Sequence, residues 1–189
     1  MSTVKATHFE HPSASTAGIT LAADGSVVLP QGFTGGIGSN AVQAVKTDTF
    51  TSTSGTFVTV TGLTATITPS SATSKVLVIA QLSVGGVNNQ NNGFYKVTRA
   101  GTDIYQGAAA GSRTSAVFGG YIGSVMQSFM YSNSIVFLDS PGVATATEYR
   151  VEARRGSGGS VNVNLSVVDG NNIDTGRGAS SITVIEVAA

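Results

Sequence analysis

PSSATSKVLVIAQLSVGG, residues 69–86, reads as a strand with a turn in front of it and a stop behind it. Successive strand side chains point to opposite faces. Val76, Val78, Ala80, Leu82 and Val84 therefore share one face, which is wholly apolar. The other face carries Lys75, Leu77, Ile79, Gln81 and Ser83, apolar in the middle and polar at both ends. That pattern belongs to a central strand with one face in a core and the other partly covered. Pro69 and the Ser-Ser-Ala-Thr-Ser run supply the turn, and Gly85-Gly86 ends the strand. The β-branched content and the short length argue against a helix.

The same grammar repeats through the chain. Short alternating segments at Val45–Thr51, Thr56–Val60, Thr64–Thr68, Phe94–Arg99 and Thr102–Gln106 are separated by Gly, Ser, Asn or Pro. Further segments follow at Val125–Tyr131, Ser134–Asp139, Thr147–Arg155, Ser160–Val168 and Ile182–Val187. Thr61-Gly62-Leu63 reads as the turn between the second and third. Ala100-Gly101 reads as the turn of a hairpin, and Ser132-Asn133 as the turn between two pairing strands. About ten short strands with no convincing helix predict an all-β fold, an antiparallel β-sandwich of jelly-roll kind.

Residues 1–40 differ from this body. Ile19-Thr20-Leu21 and Val27-Val28-Leu29 flank Ala23-Asp24-Gly25-Ser26, a hairpin signal. A lone hairpin is marginal in water, so this one needs a surface to lie on. PQGFTGGIGSN, residues 30–40, reads as a glycine-rich linker. Two domains are expected: an N-terminal arm with its linker over 1–40, and a β-sandwich body over 41–189.

Composition narrows the function. Of 189 residues, 41% are hydrophobic and only 11% charged, well below the roughly 25% typical of soluble domains. Lys plus Arg equals Asp plus Glu at 10 each. No basic patch suited to nucleic acid is visible. Near-zero net charge leaves little repulsion between copies, which suits self-association. No cysteine is present, so disulfides and thiolate metal sites are excluded. No segment reads as a secretory signal or is apolar over a membrane-spanning length. The expectation is a soluble protein assembled in a cytoplasm and not inserted in a membrane.

Certain phrases carry a family resemblance. TPSSATSKVLVIAQLSVGG, GFYKVTRAGTDI, FLDSPG, EYRVEAR and a closing SITVIEV resemble small virion proteins of tailed bacteriophages, of the tail-fibre, head-fibre or decoration kind. ITLAADGSVVLPQ resembles a phrase near the start of such proteins, where the N-terminal part attaches to the particle. The resemblance implies a homotrimer with a β-sandwich head and an anchoring arm. The residues assigned to virion attachment are Thr16, Ile19, Leu21, Asp24, Gly25, Val27 and Leu29. The partners implied are capsid or tail proteins.

Chemistry-bearing clusters are few. His8-Phe9-Glu10-His11 offers two imidazoles and a carboxylate, and Asp169-Gly170-Asn171-Asn172-Ile173-Asp174 offers oxygens suited to Ca²⁺. The first lacks fixed geometry and the second does not match an EF-hand loop, so no metal or other cofactor is expected. Glu148, Arg150, Glu152 and Arg154 alternate opposite Tyr149, Val151 and Ala153. This is the pattern of a solvated or intersubunit face with paired charges. The body holds neither His nor Cys, so Ser-His-Asp and Cys-His arrangements cannot be built within it. The chain is not expected to be an enzyme. Asn164-Leu165-Ser166 fits a glycosylation acceptor but reads as ordinary strand.

Phe129, Met130, Tyr131 and Phe137 fit a trimer interface or the core equally well. Asn88, Asn89, Gln90, Asn91, Tyr105, Tyr121, Asn171 and Asn172 are the residues expected on outward loops, able to meet a host glycan. Two rival functions stand beside a fibre: a decoration protein that clamps capsid subunits, and a soluble carbohydrate-binding β-sandwich.

Overall fold

The computed structural model describes residues 40–85, 92–121 and 129–187, together with three short strands at 8–9, 19–21 and 27–28. Those three are β1 (His8–Phe9), β2 (Ile19–Leu21) and β3 (Val27–Val28), joined antiparallel in that order. The expected hairpin across the Asp-Gly turn is the β2–β3 pair, with Leu21 opposite Val27. The sites named at Thr16, Asp24, Gly25 and Leu29, and those at Asn88, Asn89, Gln90 and Asn91, lie outside the described residues.

The body begins with β4 (Ala41–Lys46), β5 (Phe50–Ser52), β6 (Val58–Ile67), β7 (Lys75–Gly85), β8 (Asn92–Arg99) and β9 (Thr102–Ile104). It continues with β10 (Phe118–Tyr121), β11 (Met130–Asp139), β12 (Thr147–Arg155), β13 (Val161–Val163) and β14 (Ser180–Val187). Among the described residues there is no helix. The strands form two antiparallel sheets, one strongly curled. One sheet runs β10-β8-β12-β6, with β9 also on β8. The other runs β4-β14-β7-β13-β5, with β11 on the free side of β7.

The strand β7 is central, as its alternation predicts. Its one edge pairs with β11 over ten residues, and its other edge with β14 and then β13. Val76, Val78, Ala80, Leu82 and Val84 are buried, while Leu77, Ile79, Gln81 and Ser83 on the far face are half-buried. Burying one such aliphatic side chain contributes about 1.5–3 kcal/mol. The same core receives Val60, Leu63, Tyr95, Val97, Tyr149 and Val151 from the other sheet. Across the layer, β6 touches both β4 and β14.

Four sequence expectations change, each for a physical reason. Thr61-Gly62-Leu63 is no turn. β6 runs straight through it as a bulge, pairing Thr64 with Arg150 and then Thr59 with Glu152. Gly62 at φ +87° takes up the extra residues. This lets Val60 and Leu63, three apart, both point into the core. Ser132-Asn133 is no turn either, because β11 is continuous from Met130 to Asp139. The Gln81 amide donates to the Ser132 hydroxyl and accepts from that of Ser134, so these polar residues bond across the strands.

The expected strand Val45–Thr51 is two strands. β4 pairs β14 and β5 pairs β13. The chain breaks between them where the Asn164 side-chain amide donates to the carbonyls of Lys46 (2.9 Å) and Asp48 (3.0 Å). The expected strand Ser160–Val168 ends at Val163 for the same reason. Asn164 has φ +60° and leaves the ladder to make those bonds.

Candidate functional site

Each sheet has a face turned away from the core, and the two faces differ in chemistry. On the β10-β8-β12-β6 sheet, the outward residues of β12 are the expected charged row. Arg150 bridges its neighbours, with Nε 2.9 Å from Glu152 and Nη1 3.3 Å from Glu148. Lys96 of β8 lies between Asp103 (2.5 Å) and Glu152 (3.4 Å). The Phe57 ring packs 4.3 Å below the Lys96 ammonium and 5.9 Å from the Arg154 guanidinium. Lys96 and Glu152 are buried by this covering. Glu148, Arg150 and Glu152 are therefore paired within one chain, and Arg154 donates to the Arg155 carbonyl at 3.1 Å.

The outward face of the other sheet carries no such row. The register places Leu138, Leu77, Ile185 and Ala41 side by side across β11, β7, β14 and β4. The next row is Val136, Ile79, Thr183 and Gln43, and the third is Ser134, Gln81, Ser181 and Val45. No ionisable side chain interrupts these three rows. Val45, Val136 and Leu138 are 59%, 53% and 49% exposed. Four of the polar members bond in pairs: Gln43 donates to the Thr183 hydroxyl at 2.8 Å, and the Ser134 hydroxyl donates to Gln81.

Of the four residues named for an interface, three lie on β11 and Phe129 precedes it. Tyr131 and Phe137 share the parity of Ile135 and pack against the core. Phe137 also stacks on Tyr105 at 4.6 Å. Phe129 is exposed and meets Tyr131 edge-on at 5.2 Å. Met130 is half-buried, and its sulfur accepts from the Ser83 hydroxyl at 3.8 Å. The exposed apolar residues that sequence reading missed are Val136 and Leu138. Pairing with Ile79 and Leu77 of β7 puts both on the outward side.

The loop residues take different places. Tyr105, at φ +48°, is exposed beyond β9. It borders a shallow recess of about 270 Å³ with Gln106, Gly107 and Val117. Tyr121 closes β10. Asn171 and Asn172 line a polar recess of about 310 Å³ in the loop after β13. In that loop Asp169 is engaged by Arg177 at 2.7 Å, and Asn172 accepts the Asp174 amide at 2.9 Å. Its tip, Ile173, is fully exposed. Among the described residues no group of three or more His, Asp or Glu is placed to hold a metal.

Sequence reading also missed three polar pins, two of them buried. Asp139 accepts the Tyr149 hydroxyl at 2.7 Å and one Arg99 nitrogen at 2.8 Å on both oxygens, tying β11 to the opposite sheet. Burial, and then the Asp139 carboxylate, push the Tyr149 phenol well above its usual range. Asn164, fully buried, adds a bond from Ser180 (2.7 Å) to its two backbone contacts. Glu186, also buried, accepts the Ser70 amide (2.7 Å), the Ser70 hydroxyl (2.5 Å) and the Asn40 amide (3.0 Å). Burial alone would raise its pKa. The Ser70, Ser74 and Asn40 groups outweigh that and lower it to about 2. Asn164 cannot serve as a glycosylation acceptor in the folded chain, because its amide is enclosed.

The sequence matches no protein-family model and no curated protein.

Proposed function

We propose that this protein is a non-enzymatic structural component of a tailed-bacteriophage particle: a homotrimer of β-sandwich bodies, fibre-like, anchored through its N-terminal arm over residues 1–40. The observation that carries this reading is where the charge is spent. Asp48, Asp103, Asp139, Glu148, Glu152 and Asp169 each contact Lys or Arg, and Glu186 is held by hydroxyl and amide donors. These groups fasten strands and loops to one another. A carboxylate working as acid or base would instead face a cleft with its proton free to move. The quoted phrases of the resemblance fall on β7, the β8–β9 hairpin, the end of β11, β12 and β14, so they speak to the body's architecture.

The finer fold belongs to the same proposal. The order β4-β14-β7-β11 in one layer and β6-β12-β8-β10 in the other supports a jelly roll. So does the path of the chain, which passes from β6 to β7 to β8 and from β11 to β12 to β13 by changing sheets each time. The anchoring arm would act through avidity, since three weak contacts on one particle reinforce one another. The outward loops bearing Tyr105, Asn171 and Asn172 would then be free to meet a host surface glycan.

Deleting residues 1–40 tests the division of labour. The expected result is a folded oligomer that no longer joins particles. Incorporation of the truncated chain would overturn it. Particles lacking the protein separate the two virion roles: loss of a fibre impairs adsorption, whereas loss of a cement protein weakens the capsid. A glycan array on the purified chain tests carbohydrate binding, and silence there removes the receptor role.

A further inference from the structure

We infer that the outward face of β11, β7, β14 and β4 is the surface on which a second copy of this chain packs. The inference rests on the homo-oligomer part of the reading above and is independent of any particle. Three properties of the face point to its own copy as the occupant.

The first is charge. A partner of opposite charge has nothing to recognise across the Leu138, Val136 and Ser134 rows, which hold no ionisable group. A copy of the same face meets it without like-charge repulsion, a cost that opposes self-association on most surfaces. The opposite outward face contrasts with it, since Glu148, Arg150 and Glu152 stand there.

The second is size. Four strands about 4.8 Å apart and seven residues about 3.3 Å long give a footprint of roughly 400 Å². Seven of the twelve residues in its three rows are apolar, namely Leu138, Leu77, Ile185, Ala41, Val136, Ile79 and Val45, so the footprint is a mixed apolar and neutral polar face. The footprint is about half of the roughly 800 Å² that each partner gives to a standard interface. Its apolar residues gather towards the Leu138 row, and the Gln81, Ser132 and Ser134 hydrogen-bond cluster lies at the opposite end of the same footprint.

The third is the ordering of the polar groups. Gln43 with Thr183, and Gln81 with both serines, are already bonded within the chain. Their side chains are thereby fixed before a partner arrives, so less ordering entropy is lost, and the second amide hydrogens and the Ser181 hydroxyl are left for the partner to meet.

The test uses the purified full chain in sedimentation equilibrium. The wild type is expected as a multiple of 19.0 kDa. Val136→Lys with Leu138→Lys is expected to weaken association about a hundredfold. Thr66→Lys on the opposite outward face should leave assembly unchanged. A wild-type monomer at tens of micromolar, or a double variant that assembles normally, overturns the inference. A conservative variant covers the case in which the lysines prevent folding. The chain has no cysteine, so Leu138→Cys carries a single thiol. Its reaction with a bulky maleimide should be slowed at least tenfold at high protein concentration and recover on dilution. A rate independent of concentration overturns the inference. Failure of particle incorporation alone leaves these readouts untouched and counts only against the virion reading.

Discussion

Removing the Asn164 side chain is the sharpest test of how this fold is held. The residue is fully buried and makes three side-chain hydrogen bonds: to the Lys46 carbonyl (2.9 Å), to the Asp48 carbonyl (3.0 Å) and from the Ser180 hydroxyl (2.7 Å). A buried hydrogen bond is worth about 1 kcal/mol net, and more when its loss strands a partner away from water. Three of them predict a cost of about 3 kcal/mol for Asn164→Gly. Asn164→Ala carries a second penalty. At φ +60° a Cβ without a compensating polar group costs about 1 kcal/mol more. The alanine variant is therefore expected about 4 kcal/mol down, a large share of the 5–15 kcal/mol that stabilises a typical domain. Urea unfolding at a fixed protein concentration measures both, with midpoints compared at a common slope. Hydrogen exchange should also quicken at residues 47–49, where the β4–β5 break loses its anchor. A cost under 1 kcal/mol for either variant, or an alanine variant no worse than glycine, would refute the account of Asn164 as the group that breaks both strands.

Three further predictions follow from the same contacts. Glu186 has a folded pKa of about 2 against an ordinary value of 4.5. Its contribution is present above pH 4.5 and lost as pH falls towards 2. Melting from pH 7 to 3 should show Glu186→Gln less stable than wild type at neutral pH, with the gap closing in acid; a constant gap would contradict the assignment. At Gly85 a Cβ would lie 1.9 Å from the Leu165 carbonyl oxygen, whereas at Gly55 nothing lies within 4 Å. Gly85→Ala should cost more than about 2 kcal/mol and Gly55→Ala less than about 0.5 kcal/mol in the same unfolding assay. Tyr149→Phe, which strips a buried partner from Asp139, should cost about 1–3 kcal/mol. Glu148→Gln, which breaks only the more exposed 3.3 Å contact of the charged row, should cost under about 1 kcal/mol. Equal losses for these two would show that burial does not set their weight.

Where period-two alternation runs unbroken, faces were legible before any coordinates. β7 has its five inward apolar residues where the pattern puts them, and β12 its inward Tyr149, Val151 and Ala153. The β8–β9 hairpin turns at Ala100-Gly101, both at positive φ. Legibility failed where Gly or Ser does something other than turn. Gly62 makes a bulge and Ser132 bonds sideways to Gln81, so both mimic loop signals inside a strand. The candidate interface residues stood open between an interface and the core. Phe137 and Tyr131 attract notice by size, yet parity turns them to the core and turns Val136 and Leu138 outward.

Alternation is a local property, fixed by the pleat of the backbone, and the chain of residues 41–187 carries it in its own order of side chains. Hence the all-β class, the Ala100-Gly101 turn and the inward faces of β7 and β12 needed no partner to be inferred. Strand order needs partners that are distant along the chain. β4 ends because an amide 116–118 residues away claims the Lys46 and Asp48 carbonyls, and β7 is central because β11 and β14 arrive on opposite edges. The bare outward face is of the same kind: four strands from four regions each contribute one residue to every row, and no single segment contains it.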